Sequence, residues 1–71
     1  MSRPVEIRIK RISEGRYMVE RDDLPIGEPG EMNLSQVRLY LHNRVPDISA
    51  DLVIHQADEK GQTTVRFQSP V

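Results

Sequence analysis

The chain has 71 residues, a formal net charge of −1 at pH 7 and no cysteine. This length fits one small domain over residues 1–71, and the lack of cysteine excludes disulfides and thiolate metal sites. No apolar run approaches the roughly 20 residues of a membrane-spanning helix, so we expect a soluble, cytoplasmic protein without a membrane partner. A domain this small buries only about 60% of its unfolded surface, and a second copy or another protein commonly reinforces it.

The N-terminal third of the chain predicts a β-hairpin. Residues 5–10 alternate between apolar and charged side chains, which is typical of a half-buried strand. The alternation slips at Arg11-Ile12, which predicts a bulge or the end of the strand. A turn over residues 13–16, with Gly15 at positive φ, then returns the chain antiparallel through residues 17–20.

A long acidic loop is predicted next, over residues 22–31. This segment contains two prolines and two glycines, which excludes a helix or a central strand. It carries four acidic residues and no basic one, whereas residues 1–21 carry six basic and three acidic residues. Loops of this length are often functional, and a plain connection from sheet to helix is the alternative.

A single helix is predicted after the loop. Asn33 is a favourable N-cap, and Gln36 three residues later completes a capping box. Pro46 disfavours helical geometry at the residue before it, so we expect the helix to end near Arg44.

Two further strands are predicted over residues 51–56 and 63–68, joined by a turn over residues 58–62 that contains a glycine. The order ββαββ predicts an α+β two-layer sandwich, with one helix packed on one sheet face of two antiparallel hairpins. This order is β-grasp-like and leaves the order of the strands in the sheet open. The predicted core consists of Val5, Ile7, Ile9, Tyr17, Val19, Val37, Leu41, Leu52, Ile54, Val65 and Phe67.

Residues that could support catalysis are present, but their spacing is unsuitable. His42 and His55 are thirteen positions apart on different predicted elements, which does not fit paired metal ligands. The acids of the loop lack the alternate spacing of a calcium loop, and no serine lies in a nucleophile-elbow motif. The sequence therefore predicts no catalytic, cofactor-binding or metal site, and a protein that is not an enzyme.

An apolar residue on the polar side of the helix predicts contact with another protein. Leu39 points away from the apolar stripe of the helix, between Gln36 and Asn43. Leu24 and Ile26 add apolar side chains to the acidic loop. These five residues predict a partner-binding surface of a non-enzymatic, protein-binding or regulatory domain. Its partner is another protein, or a second copy of the chain in a homodimer, and exposed strand edges offer a second docking route.

Nucleic-acid binding is the alternative function. Arg8 and Lys10, joined by Arg21, are expected on the outer face of the first hairpin, alongside Arg3 at the N-terminus. A basic β-ribbon of this kind can follow a phosphate backbone. Aromatic residues for base stacking are scarce, because the chain contains two tyrosines, one phenylalanine and no tryptophan.

Three motifs follow one another between Glu14 and Leu41. They are Glu-Gly-Arg-Tyr-Met-Val-Glu, then Asp-Asp-Leu-Pro-Ile-Gly, then Gly-Glu before a capped helix. In this combination the segment, which covers under half of the chain, resembles the HicB-type antitoxins. The chain departs from that family at Asp22, where the family has a proline, and at Ile26, which is an additional residue before Gly27. The resemblance implies a small protein that binds and neutralises a partner ribonuclease.

Overall fold

The computed structural model of the protein describes residues 2–70, which form a four-stranded antiparallel sheet and two helices. The predicted α+β class is therefore confirmed. In chain order the elements are β1 (Ser2–Ser13), β2 (Arg16–Arg21), β3 (Pro29–Asn33), α1 (Leu34–Arg44), α2 (Ala50–Lys60) and β4 (Gln62–Pro70). The order in the sheet is β3-β2-β1-β4, so β1 and β2 are central and β3 and β4 form the two edges.

The alternation in β1 places its apolar side chains on one face of the sheet. Val5, Ile7 and Ile9 are fully buried, as a period of two requires, and Ile7 and Ile9 belong to the core cluster that contains the buried helix residues. The register between β1 and β2 shifts between Arg11 and Ser13, which confirms the predicted irregularity. The first hairpin is also confirmed, and Gly15 turns the chain at a φ of 72°.

Helix α1 begins and ends where the sequence predicts. The Asn33 side chain accepts a hydrogen bond from the Gln36 backbone N–H, and the Gln36 side chain accepts one from the Asn33 N–H, both at 2.9 Å. This reciprocal pair is the predicted capping box. The helix ends at Arg44, ahead of Pro46.

Residues 51–56 form part of helix α2, so the predicted strand at this position is wrong. Ser49 caps the helix by accepting a hydrogen bond from the Leu52 N–H at 3.3 Å. Gly61 ends it in the left-handed conformation, at a φ of 85°. The predicted turn over residues 58–62 is therefore the last turn of a helix and its cap, and the element order is βββααβ rather than ββαββ.

The change from strand to helix alters the core. Ala50, Val53, Ile54 and Ala57 follow helical spacing and face the sheet, and the last three are buried. Leu52, predicted to be in the core, is 57% exposed because it lies outside this stripe. Phe67 is only partly buried, whereas Val45, which was not predicted, belongs to the core. The other nine predicted core residues are buried.

Part of the predicted acidic loop belongs to the sheet. Residues 22–28 connect β2 to the third strand, and residues 29–31 pair with β2. Proline and glycine are compatible with this strand because it lies at an edge of the sheet.

The helices form one layer over the sheet. Helix α1 packs on β3 and β2, and helix α2 packs on β4 and β1. The other face of the sheet has no helix over it in the described part of the chain.

A buried tyrosine links the sheet to α2. The Tyr17 hydroxyl donates a hydrogen bond to Asp58 Oδ1 at 2.5 Å, and Arg11 Nε lies 3.5 Å from the same oxygen. Burial and then the bond to the Asp58 carboxylate raise the pKa of Tyr17 to about 12. The neutral hydroxyl is therefore favoured in the folded protein.

Replacing Tyr17 with Phe should lower the free energy of unfolding by about 1.5–3 kcal/mol at neutral pH, because a hydrogen bond to a charged group is lost. The folded-state pKa is raised, so this contribution is fully present below pH 10.0 and is lost as the pH rises to about 12. Denaturant unfolding of wild type and Tyr17→Phe between pH 10.0 and about 12 measures the difference in their free energies of unfolding. Asp58→Asn, which keeps an acceptor but removes the charge, should show a smaller pH dependence. A difference between wild type and Tyr17→Phe that stays constant with pH would contradict this assignment.

Candidate functional site

A groove between the two helices contains the exposed leucine predicted to bind a partner. Leu39 on α1 is 61% exposed, and Ile48 in the connection between the helices is 36% exposed. Both line a groove of about 490 Å³. Its lining residues are Ser35, Arg38, Leu39, His42, Ile48, Ser49, Ala50 and Asp51.

The geometry of α1 explains why Leu39 faces solvent. Val37 and Leu41 are buried against the sheet, and Leu39 lies between them on the opposite side of the helix. The same side carries Arg38, whose Nε lies 2.9 Å from Asp51 Oδ1 in the first turn of α2. An exposed ion pair contributes little to stability, but this one joins the two walls of the groove.

Of the five predicted partner-binding residues, only Leu39 lines this groove. Gln36 is exposed, and its side chain is used in the cap of α1. Asn43 lines a different groove, beside Phe67 of β4. Neither Leu24 nor Ile26 lines the Leu39 groove, since both lie in the connection between β2 and β3.

The connection over residues 22–28 is hydrogen-bonded at both ends and exposes two large apolar side chains, of which Leu24 is 38% exposed. The Asp22 N–H donates to the Glu6 carbonyl, and the Asp22 side chain accepts from the Glu6 N–H, both at 3.1 Å. The Arg21 N–H donates to the Glu28 carbonyl at 3.0 Å. Ile26, near the middle, is 96% exposed. It is a contact candidate separate from the groove.

Sequence reasoning missed the second apolar member of the groove, Ile48. Its position depends on α2, because the chain must leave α1 at Val45 and re-enter a helix after Ser49. Ser49 at an N-cap position and Asp51 in the first helical turn were the available signals for that second helix.

The four basic residues predicted for nucleic-acid binding lie on two different faces of the sheet. Arg8 and Lys10 alternate with the buried residues of β1 and lie on the face without helices. Arg21 pairs with buried Ile7 and so lies on the helix-covered face, and by alternation Arg3 has the same orientation. The expectation that Arg21 shares the outer face with Arg8 and Lys10 is therefore wrong.

The open face is of mixed charge. Arg8 Nη2 lies 3.9 Å from Glu20 Oε2, and Arg66 Nε lies 3.4 Å from Glu6 Oε2. Arg16 and Glu31 form a third pair at 3.4 Å. These acids reduce the positive potential that Arg8 and Lys10 would otherwise give this face.

Arg21 makes several contacts beneath α1. Its Nε and Nη2 donate to the two carboxylate oxygens of Asp23 at 2.8 and 2.6 Å, and its Nη1 donates to the Tyr40 hydroxyl at 3.2 Å. Its guanidinium carbon also lies 5.4 Å from the centre of the Phe67 ring. The bond to Asp23 raises the pKa of Arg21, and the bond to Arg21 lowers the pKa of Asp23. This side chain is 12% exposed and joins β2, α1 and β4.

The histidines are exposed. His42 lines the Leu39 groove, and His55 lies on α2 rather than on a strand, with Nε2 3.3 Å from Glu59 Oε2. Within residues 2–70, no three His, Asp or Glu side chains form a group that could hold a metal ion.

Comparisons with protein-family models, curated proteins and solved structures find no significant match for this chain. Neither helix of the described residues is long and apolar enough to cross a membrane.

Arg21→Lys should lower the free energy of unfolding by about 1–3 kcal/mol, because an ammonium cannot reproduce the bidentate bond together with the bond to Tyr40. Arg8→Lys is the matched control. Its long, exposed ion pair predicts a change within about 0.5 kcal/mol. Equal stabilities of the two variants in denaturant titrations would contradict the structural role of Arg21.

Proposed function

We propose that this chain is a non-enzymatic protein-binding domain whose partner surface is the groove around Leu39. The observation that carries the proposal is the placement of Leu39, 61% exposed, beside exposed Ile48 in a groove with polar rims. Apolar side chains that are exposed and grouped in a concavity are more typical of contact sites than single exposed leucines are.

The chemistry of the groove defines the kind of partner. Leu39, Ile48 and Ala50 provide an apolar floor, and the Arg38–Asp51 pair provides one charge of each sign at the rim. A protein that inserts an apolar side chain here, with polar groups around it, would bury the apolar floor and leave the rim ion pair near solvent. A small regulatory domain that binds another protein in this way requires no catalytic group.

Leu39→Asp should weaken partner binding by about 2 kcal/mol or more, the effect expected of a central contact residue. Affinity purification from the native host followed by mass spectrometry identifies the partner, and calorimetry with the purified partner measures the affinity. Ile12→Asp is a matched control, because Ile12 on β1 is exposed at 49% but does not line the groove. Unchanged affinity of Leu39→Asp would reject this surface.

The resemblance to HicB-type antitoxins suggests one class of partner, a ribonuclease. In that version of the proposal, the chain binds the ribonuclease and blocks its activity. A small basic ribonuclease among the captured proteins would support this version, and ribonuclease toxicity unaffected by co-expression of the chain would remove it.

Nucleic-acid binding is supported by one observation, the open sheet face on which Arg8 and Lys10 lie. This alternative predicts binding to mixed DNA or RNA that weakens steeply with salt and is lost in the double variant Arg8→Glu/Lys10→Glu. The double variant Arg44→Glu/Lys60→Glu is the control. It changes the net charge by the same amount but alters only helix residues, so it should retain binding. Filter binding over a range of salt concentrations measures both, and no retention of the wild type at low salt would reject the alternative.

A further inference from the structure

The two edges of the sheet differ in how well they are protected against pairing. The β3 edge is five residues long, begins with Pro29 and contains Gly30 at a φ of 110°. Short length, proline and glycine all weaken a strand as a template for another chain. The β4 edge is nine residues long, has no proline before Pro70, and contains the β-prone run of residues 63–67.

The outward backbone groups of β4 can be identified from the register. The Arg11 N–H donates to the Gly61 carbonyl at 2.9 Å. Antiparallel ladders alternate, so residues 63, 65 and 67 direct their backbone groups toward β1. Gln62, Thr64, Arg66 and Gln68 then direct theirs away from the sheet. Among residues 2–70, no backbone or side-chain partner for those outward groups is observed.

One flank of α2 lies above this edge and is uncovered. Asp51 and Asp58 face the rest of the domain, since they contact Arg38 of α1 and Tyr17 of β2. Gln56, on the other flank, accepts a hydrogen bond from the Thr63 hydroxyl of β4 at 3.2 Å. Leu52 lies one turn before Gln56 on the same flank. It is an exposed apolar residue on the β4 side of the helix layer.

We propose that β4 pairs antiparallel with β4 of a second copy across a two-fold axis. The product is a continuous eight-stranded sheet with four helices on one face. The β4 edge used in this pairing is distinct from the Leu39 groove, which binds a different protein in the proposed function.

The spacing of the layers favours a second copy as the occupant. Strands lie about 4.8 Å apart, and α2 packs over β4 and β1. Pairing of the two β4 strands would therefore place the two α2 helices about 10 Å apart, close to the 8–10 Å of packed helices. The uncovered flanks of the two helices, with Leu52, would face each other. A peptide strand from another protein would form hydrogen bonds with the outward-directed backbone groups of β4, but it would leave Leu52 exposed.

The sequence of β4 also allows self-pairing. With Val65 on the two-fold axis, Thr64 lies opposite Arg66 of the other copy, and Gln62 lies opposite Gln68. This register joins the outward-directed backbone groups of both strands and puts no like charges opposite each other. Arg66 would lie opposite Arg66 of the second copy only if the two-fold axis passed through this residue.

Sedimentation equilibrium tests the proposal directly. Wild type should sediment at twice the 8.2 kDa of the chain, and Leu52→Asp should raise the dimer dissociation constant about tenfold or more. Aspartate at this position is in the first turn of α2, where an acidic residue is favourable, so the fold should be retained. Leu39→Asp is the matched control and should sediment like wild type.

A second variant and a second readout address the strand itself. Thr64→Pro removes one outward N–H without removing a bond to β1, and should also give monomers. Amide exchange should show concentration-dependent protection of Gln62, Thr64, Arg66 and Gln68, with the intervening residues protected at all concentrations.

Each remaining outcome overturns the proposal. A wild type that stays monomeric at high protein concentration excludes the dimer. A dimer that Leu39→Asp dissociates, while Leu52→Asp and Thr64→Pro do not, assigns self-association to the groove. A wild type that stays monomeric while Leu39→Asp still loses partner binding overturns the dimer and leaves the proposed function intact, so the two proposals fail separately.

Discussion

The fold depends on the apolar face that begins at β1, which the neighbouring strands extend and the two helices cover. Val5, Ile7 and Ile9 come from consecutive inward positions of this strand, and complete burial of such a side chain contributes roughly 1.5–3 kcal/mol. The strand is hydrogen-bonded to β2 on one side and β4 on the other, so the apolar face extends across the sheet. Because each helix covers two strands, two helices suffice for four strands. No further element of the described chain is left to cover the outer flank of α2.

Polar side chains fix how the helices sit on that face. Tyr17 and Arg21 both lie on the inner face of β2, four residues apart, at opposite ends of the strand. Tyr17 bonds to Asp58 of α2, and Arg21 bonds to Tyr40 of α1. Each helix therefore has one directional link to the same strand, whereas apolar packing alone is non-directional. This is why Arg21, which resembles a surface cation in the sequence, has a structural role.

Local signals made part of the structure predictable, and tertiary context decided the rest. The period of two in β1 and the cap at Asn33 depend only on neighbouring residues, so both were predicted correctly. The run Leu52-Val53-Ile54 is too short for periodicity to separate strand from helix, and its β-branched residues favoured the wrong choice. The local signals that distinguished helix from strand were the Ser49 cap, Asp51 in the first turn and Gly61 at the helix end. Leu39 could be identified from the helical wheel of α1 alone. Its neighbour Ile48 could not, because the groove exists only when α2 is a helix.

The placement of Leu39 and Leu52 on different surfaces has a consequence for assembly. Asp51 lines the Leu39 groove and Gln56 contacts β4, so the two flanks of α2 face different surfaces. In the proposed dimer the helix order is α1, α2, then α2 and α1 of the second copy, and both grooves stay open on the same side of the sheet. A partner that carries two binding segments could then engage both grooves. Its second contact would form at a high effective concentration, without any additional contact in either groove. Self-association through β4 would in this way strengthen binding at Leu39 even though the two surfaces share no residue.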